Sequence, residues 1–403
     1  MRRILLIAAG GLGALFVWLI VAVPLALRVL RIDPIEPTAG APPAPAIDPA
    51  KPTAAVLLSQ AGTEITDFLA PWAILSASGA FNVVAVAAEP GVAPTNGRLG
   101  IVPQQTLAEF DTAHPGGADL VLVPNILDPE NPAIGTWLAT QRRHGAVLAS
   151  ICEGARTLAH GGLLDGHAAT THFAALDGLA EAHPGVRWQR DVRFVDDGAV
   201  VSSAGVTAGI DAALHLVERF AGADAARRTA TALALPPPRD RRVAAPRLGP
   251  SHIAAGVLNG AFSWPKTSVA LRLDDGIDEL AVAAVLDAYP RSFAAVARSV
   301  APDRRAVVSR HGLRLVPVGD ARDAADDLLI LPDASRDRGF AFDRVLADIA
   351  RRYDHATAAL VAAQLEYDAE RLPKDGVGHR LGPIAGLAAV VAAGAILARR
   401  RRR

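Results

Sequence analysis

The chain has one cysteine in 403 residues, aromatics make up only 5% of it, and its formal net charge is zero. Each shortage excludes something. One thiol cannot close an internal disulfide, so cysteine usage discloses no redox compartment. Lys plus Arg number 41 and Asp plus Glu number 41. With no cationic excess to draw a polyanion, nucleic acid is not an expected partner. The histidines are scattered (His114, His144, His160, His167, His183) and show no metal-ligand spacing, so no metal is expected. The glycines of "GGLGALFVW" lie inside a long apolar run and read as membrane packing, not as a phosphate loop, so no cofactor is expected.

What the chain has in abundance is apolar surface: 51% of residues are hydrophobic. The two ends hold much of it. Residues 4–27 carry no charge, long enough to cross a bilayer core of roughly 30 Å and too long for a simple secretory signal. Residues 381–398 form a second uncharged run, followed by arginines from Arg399 to Arg403. Positive residues beside a span stay cytoplasmic. The expectation is two transmembrane helices, both termini cytoplasmic, and the middle of the chain outside the cytoplasm. Residues 32–53 are a Pro/Ala-rich linker, and "LPPPRDRRVAAPRLGP" (235–250) is a second. Folded material is expected over 54–234 and 251–370.

The first block alternates short apolar runs with helix-like segments. "TAAVLLS", "FNVVAVAAE", "ADLVLVPN" and "AVLASIC" read as buried strands. "ITDFLAPWAILSASG" and "AIGTWLATQRRHG" read as helices that stop at glycine. This alternation predicts an α/β fold: a doubly wound, mostly parallel sheet, with sites at the carboxyl ends of its strands. The second block repeats the opening order of strand, acidic turn, Ala-rich helix and strand. It predicts a degenerate internal duplicate, running into a helix near Phe342–Tyr353 and holding no cysteine. Its expected role is structural, or as an interaction surface.

The lone thiol, Cys152, sits where "AVLASIC" turns into a helix-like run through Glu153 and Gly154. Three segments carry a resemblance. "TDFLAPWAIL" (66–75) places Asp67 ahead of Pro71, "SICEGARTLAHGGLLDGHAATTHFA" (150–174) joins Cys152 to His172, and "VVSSAGVTAGIDAALHLVERFAG" (200–222) closes the block. Together they resemble the DJ-1/PfpI superfamily, which shares the class I glutamine amidotransferase-like, flavodoxin-like fold. The likeness is nearest to the isonitrile-hydratase type and to the amidase-like domain of AraC-type regulators. It covers about 54–245. No helix-turn-helix pair follows the linker, so the regulators' DNA-binding role is not carried over. Phe173 stands where relatives place an aromatic after "TTH", and Glu153 stands where relatives often have a small residue or Thr.

The resemblance implies Cys152 as nucleophile, with Asp67 and His172 as acid and base. The residues supply a physical case. A strand-to-helix elbow exposes a sulfur, and a helix N-terminus favours its thiolate. The next backbone N–H, on Glu153, can meet a developing oxyanion, and Gly154 lets the helix pack close. An acidic Glu153 turned inward would oppose the thiolate. Glu64 reads as a solvated acid and Asp211 as a helix cap. The expected function is a membrane-anchored, cysteine-dependent site. It would act as a hydratase, amidase or glyoxalase on a small electrophilic molecule. The alternative is a ligand- or redox-sensing module. The expected partners are a small-molecule ligand or substrate, the membrane and, from the resemblance, a second copy of the chain.

Overall fold

The computed structural model describes residues 47–236, 248–263, 265–324, 328–330 and 339–368, with positions 32, 34, 35 and 372 besides. The two long apolar runs, 4–27 and 381–398, lie outside the described residues, as does most of both linkers. Among the described residues no helix is long and apolar enough to cross a membrane.

The chain opens with β1 (Thr53–Leu58), α1 (Ile65–Ser78) and β2 (Asn82–Ala87). Both strands are buried at every position, as an uninterrupted apolar run should be when helices cover both faces of a sheet. β3 (Ala93–Pro94), β4 (Leu99–Val102), β5 (Gln105–Thr106), α2 (Leu107–Ala113), β6 (Leu120–Val123) and α3 (Pro132–Arg143) follow. Then come β7 (Val147–Ser150), α4 (Gly154–His160), β8 (Ala168–Ala169), α5 (Phe173–Ala182), β9 (Arg187–Trp188), β10 (Phe194–Asp196), β11 (Val200–Ser203), α6 (Ala208–Ala221) and α7 (Ala223–Ala232). The main sheet has the order β10-β11-β7-β6-β1-β2-β5. Every pairing in it is parallel except β10 with β11. This is a flavodoxin-like α/β domain with a mostly parallel sheet. β1, β6, β7 and β11 end side by side, and their carboxyl ends form the site.

The second half contains α8 (Pro250–Phe262), β12 (Thr267–Arg272), α9 (Glu279–Arg291), β13 (Ala295–Ala301), β14 (Val307–Val308), β15 (Arg314–Pro317), β16 (Gly319–Asp320) and β17 (Leu328–Ile330). α10 (Ala341–Arg352) and α11 (His355–Gln364) complete it. Its own sheet, β16-β13-β12-β17, is parallel throughout. Local devices recur at one numbering interval. Glu64 caps α1 and Asp278 caps α9, each accepting the backbone N–H three residues on. Ser78 donates to Leu75 and Ser292 to Tyr289. Gly79 and Phe293 then take positive φ, at 65° and 55°.

A third sheet joins the halves. β4 pairs antiparallel with β15, with Ile101 opposite Leu315. α1 lies along α9. One buried cluster runs through both halves and holds Phe68, Leu69 and Trp72 together with Leu286, Tyr289 and Phe342. The other face of the main sheet packs separately, on Phe110, Trp137 and Leu158.

Candidate functional site at the Cys152 elbow

β7 hands the chain to α4 through a strained turn. Ile151 N–H donates to the Val123 carbonyl at 3.0 Å. Cys152 then takes φ of 55°, a left-handed conformation that costs a side chain about 1 kcal/mol or more. Such strain persists only where the surroundings enforce it. Here Cys152 N–H donates to Ser203 Oγ at 3.3 Å, and Thr171 Oγ donates to the Cys152 carbonyl at 2.9 Å. Gly154 is obligatory, because a Cβ there would lie 2.0 Å from the Val123 carbonyl oxygen. Glu153 turns outward to Arg156, 2.7 Å away. Among the described residues nothing accepts the Glu153 N–H.

The thiol is not primed as the elbow position suggests. Cys152 is buried, and burial pushes its thiol well above the ordinary range. The charges of Asp67, Glu153, Glu64 and Glu366 push it further the same way.

Asp67 is fully buried. Its Oδ2 accepts the Asn125 N–H at 3.2 Å, and its Oδ1 is buried without a hydrogen-bond partner. Burial pushes this carboxyl up to about 8. Among the described residues no hydrogen bond joins it to the Cys152 sulfur. Glu64 is not solvated, because the second half closes over the start of α1. One oxygen of Glu64 accepts the Asp67 N–H at 2.6 Å. The other accepts from Arg291 Nη2 at 2.9 Å and from Asn96 at 3.3 Å. Arg291 Nε reaches Asp287 at 2.7 Å, and Asp287 also accepts from Thr66 at 2.8 Å. Burial, Asp287 and Asp67 push the Glu64 carboxyl up, and Arg291 pulls it back. Burial opposes the Arg291 charge, yet Asp287 and Glu64 hold it above its ordinary range.

His172 faces the second half. It caps α5, its Nδ1 accepting from Ala174 N–H at 3.4 Å, while Nε2 meets the Gln364 carbonyl at 3.3 Å. Burial drives the ring down to about 4, so it is neutral at neutral pH. It makes no hydrogen bond to Cys152 among the described residues. Asp211 is not a cap either: Thr207 holds that position in α6, and Asp211 pairs with Arg193. Beside His172, the buried Glu366 accepts the Phe173 N–H at 3.2 Å, and burial pushes it up to about 7. A cavity of about 240 Å³ opens there, lined by Thr171, Phe173 and Glu366 among others and not by Cys152. Among the described residues no three His, Cys, Asp or Glu are placed to hold a metal.

The structure therefore gathers Cys152, Asp67 and Glu64 at the carboxyl ends of the central strands and sets His172 aside. Asp287, Arg291 and Glu366 reach the site from the half whose expected role is structural or as an interaction surface. A signal for two of them stands in "ELAVAAVLDAYPR", where Asp287 and Arg291 are an i, i+4 pair on a nearly uncharged helix.

A mostly parallel sheet with a strained cysteine at a strand-to-helix turn, beside a buried acid, is the backbone arrangement of the elbow found in many α/β proteins. Residues 53–219 match the model of the DJ-1/PfpI family, and this segment is a DJ-1/PfpI family domain. The chain is 40% identical over 91 residues to the HTH-type transcriptional regulator CdhR of Pseudomonas aeruginosa, covering 23% of this chain and 27% of the regulator. It is 35% identical over 113 residues to isonitrile hydratase of Pseudomonas putida, covering 28% of this chain and 46% of the hydratase. It thus spans less than half the length of these two curated relatives. DJ-1beta of Drosophila melanogaster is similar in structure, with 23% identity and a TM-score of 0.43, over 46% of this chain and 100% of that one.

Proposed function

We propose that the Cys152 site adds its thiol to a small uncharged electrophilic carbon, with Asp67 as the proton carrier. The observation that carries this reading is the buried, unpartnered Asp67 Oδ1 beside the strained elbow. An unsatisfied buried polar atom costs about 1–3 kcal/mol, so its persistence calls for a role. A carboxyl held up to about 8 is still protonated at pH 7. A neutral thiol beside a neutral acid suits an electrophile that must receive both sulfur and a proton.

An isonitrile is such a substrate, and one curated relative is an isonitrile hydratase. The sulfur bonds to the isonitrile carbon, Asp67 protonates that carbon, and the thiol proton replaces the one Asp67 gave. Water then adds to the thioimidate and expels the thiol, leaving a formamide. The Glu153 N–H and the adjoining cavity are available to the polar end of the substrate. Two apolar runs support a tethered protein with this domain outside the cytoplasm. A periplasmic-type phosphatase fusion at residue 240 tests that topology.

The test of the reaction is formamide production by the full chain from a small aliphatic isonitrile. Loss of at least about 100-fold is expected in Cys152→Ala and in Asp67→Asn. Turnover unaffected by Cys152→Ala would sink the reading. A ligand-sensing module is the second reading, favoured by a cavity whose lining includes Thr171 and Glu366 but not Cys152. Redox sensing is disfavoured, because sensor thiols are accessible and low in pKa, and Cys152 is neither.

A further inference from the structure

Ile101 and Leu315 stand opposite one another in the β4–β15 pairing. Their interval is also the one separating Glu64 from Asp278, Ser78 from Ser292 and Gly79 from Phe293. They are therefore equivalent positions of the two halves. Equivalent residues face each other across an antiparallel pair only on a two-fold axis. Gly100 opposite Val316 and Val102 opposite Arg314 obey the same symmetry. The halves meet as two subunits of an isologous dimer meet.

An interface that kept its full two-fold symmetry would carry each cross-half contact twice. This one does not. At the common interval the counterpart of Arg291 is Ala77, that of Asp287 is Ala73, and that of Asp67 is Ala281. Among the described residues the Arg291 ion network is present only on the side that holds Cys152.

We infer that the second half is a degenerate copy standing in the place of a second subunit. Its contribution to the Cys152 site is Arg291, a positioning residue that fixes Glu64 and, through Glu64, the Asp67 turn of α1. This inference rests on Cys152 and Asp67 being the working pair. The path is continuous: Arg291 Nη2 to Glu64 Oε1 at 2.9 Å, then Glu64 Oε2 to Asp67 N–H at 2.6 Å. Among the described residues the charged or titratable groups acting on Asp67 are Glu64 on its own helix start, Asp287 and Arg291 from α9, and Cys152 from the elbow. Of these, Arg291 alone is positive. Removing it must move Asp67 protonation to higher pH.

The experiment is a double-mutant cycle on the full chain, using urea unfolding at each pH from 4 to 9.5. It compares wild type, Asp67→Asn, Arg291→Met and the double variant. In the wild-type background the effect of Asp67→Asn should level off near pH 8. In the Arg291→Met background it should level off at least about one pH unit higher, a tenfold change in proton affinity. Arg291→Lys, which keeps charge but cannot fork to two carboxylates, should give about a threefold change, and it decides the matter if Arg291→Met does not fold. Arg310→Met is the control. Arg310 pairs with Asp278, the Glu64 counterpart, inside the second half at 2.6 Å, and its loss should leave the levelling point unmoved. Additive effects at every pH overturn the inference, as does an equal shift from Arg310→Met. No substrate enters the measurement. A chain that hydrates no isonitrile yet shows the shift retires the reaction and leaves the role of Arg291 standing.

Discussion

Asp67→Asn should make the protein more stable while disabling its site. An ordinary Asp carboxyl titrates near 3.9, but in the fold burial pushes Asp67 up to about 8. Between those values the folded chain binds a proton that the unfolded chain has released. For a carboxyl raised in the fold, stability is complete below the unfolded value and is lost as pH climbs through the folded one. At pH 7 the loss is about 4 kcal/mol, at about 1.4 kcal/mol per pH unit. Asn has nearly the same shape, can accept the Asn125 N–H, and takes up no proton. Its second polar atom would still lack a partner where Oδ1 now lies, so the gain should be about 2–4 kcal/mol at pH 7–8 and near zero at pH 4. The raised Glu366, held up to about 7, lowers stability in the same pH direction in both proteins and cancels in the difference. Urea unfolding of the full chain and the variant across pH 4–9 measures this. A difference that stays flat with pH, or that shrinks as pH rises, refutes the assignment of a protonated buried Asp67.

Three further outcomes follow from the elbow. Cys152→Gly should be more stable than Cys152→Ala by about 1 kcal/mol, because only glycine holds φ of 55° without strain; chemical unfolding of both variants decides it. Gly154→Ala should cost at least about 2 kcal/mol and disturb the turn, since its Cβ would meet the Val123 carbonyl at 2.0 Å; a loss within 0.5 kcal/mol, taken as roughly the scatter of neutral surface changes, would mean the backbone yields freely. Cys152 should react with iodoacetamide more slowly at pH 8 than an exposed thiol, with the rate still rising beyond pH 9, because burial and four acids oppose its ionisation; a plateau by pH 7, followed by mass spectrometry, would show a poised thiolate instead.

Much of the fold is legible in the residues. Alternating buried runs and helices that stop at glycine yield the parallel sheet, and the turn through Cys152, Glu153 and Gly154 marks the elbow. The chemistry of the site is less legible, for a physical reason. A sequence counts acids but does not say which of them water reaches, and that decides the sign of their effect on a thiol. Glu64 beside a turn reads as solvated, yet it is buried because α9 closes over it. Asp287 and Arg291 form an i, i+4 pair, the usual mark of a solvated helix face. Their partners lie in α1, across a contact between halves that no local pattern encodes. The small side chains of α9 allow its close approach to α1, and the few charges it carries are then buried rather than hydrated. Burial without a countercharge would be severe for Arg291. The two carboxylates it meets, Asp287 at 2.7 Å and Glu64 at 2.9 Å, make its placement possible. Because Glu64 also caps α1, the same ion pair that lets the halves close sets the position of Asp67. The packing between the halves and the arrangement of the site are one structural problem, solved by one guanidinium.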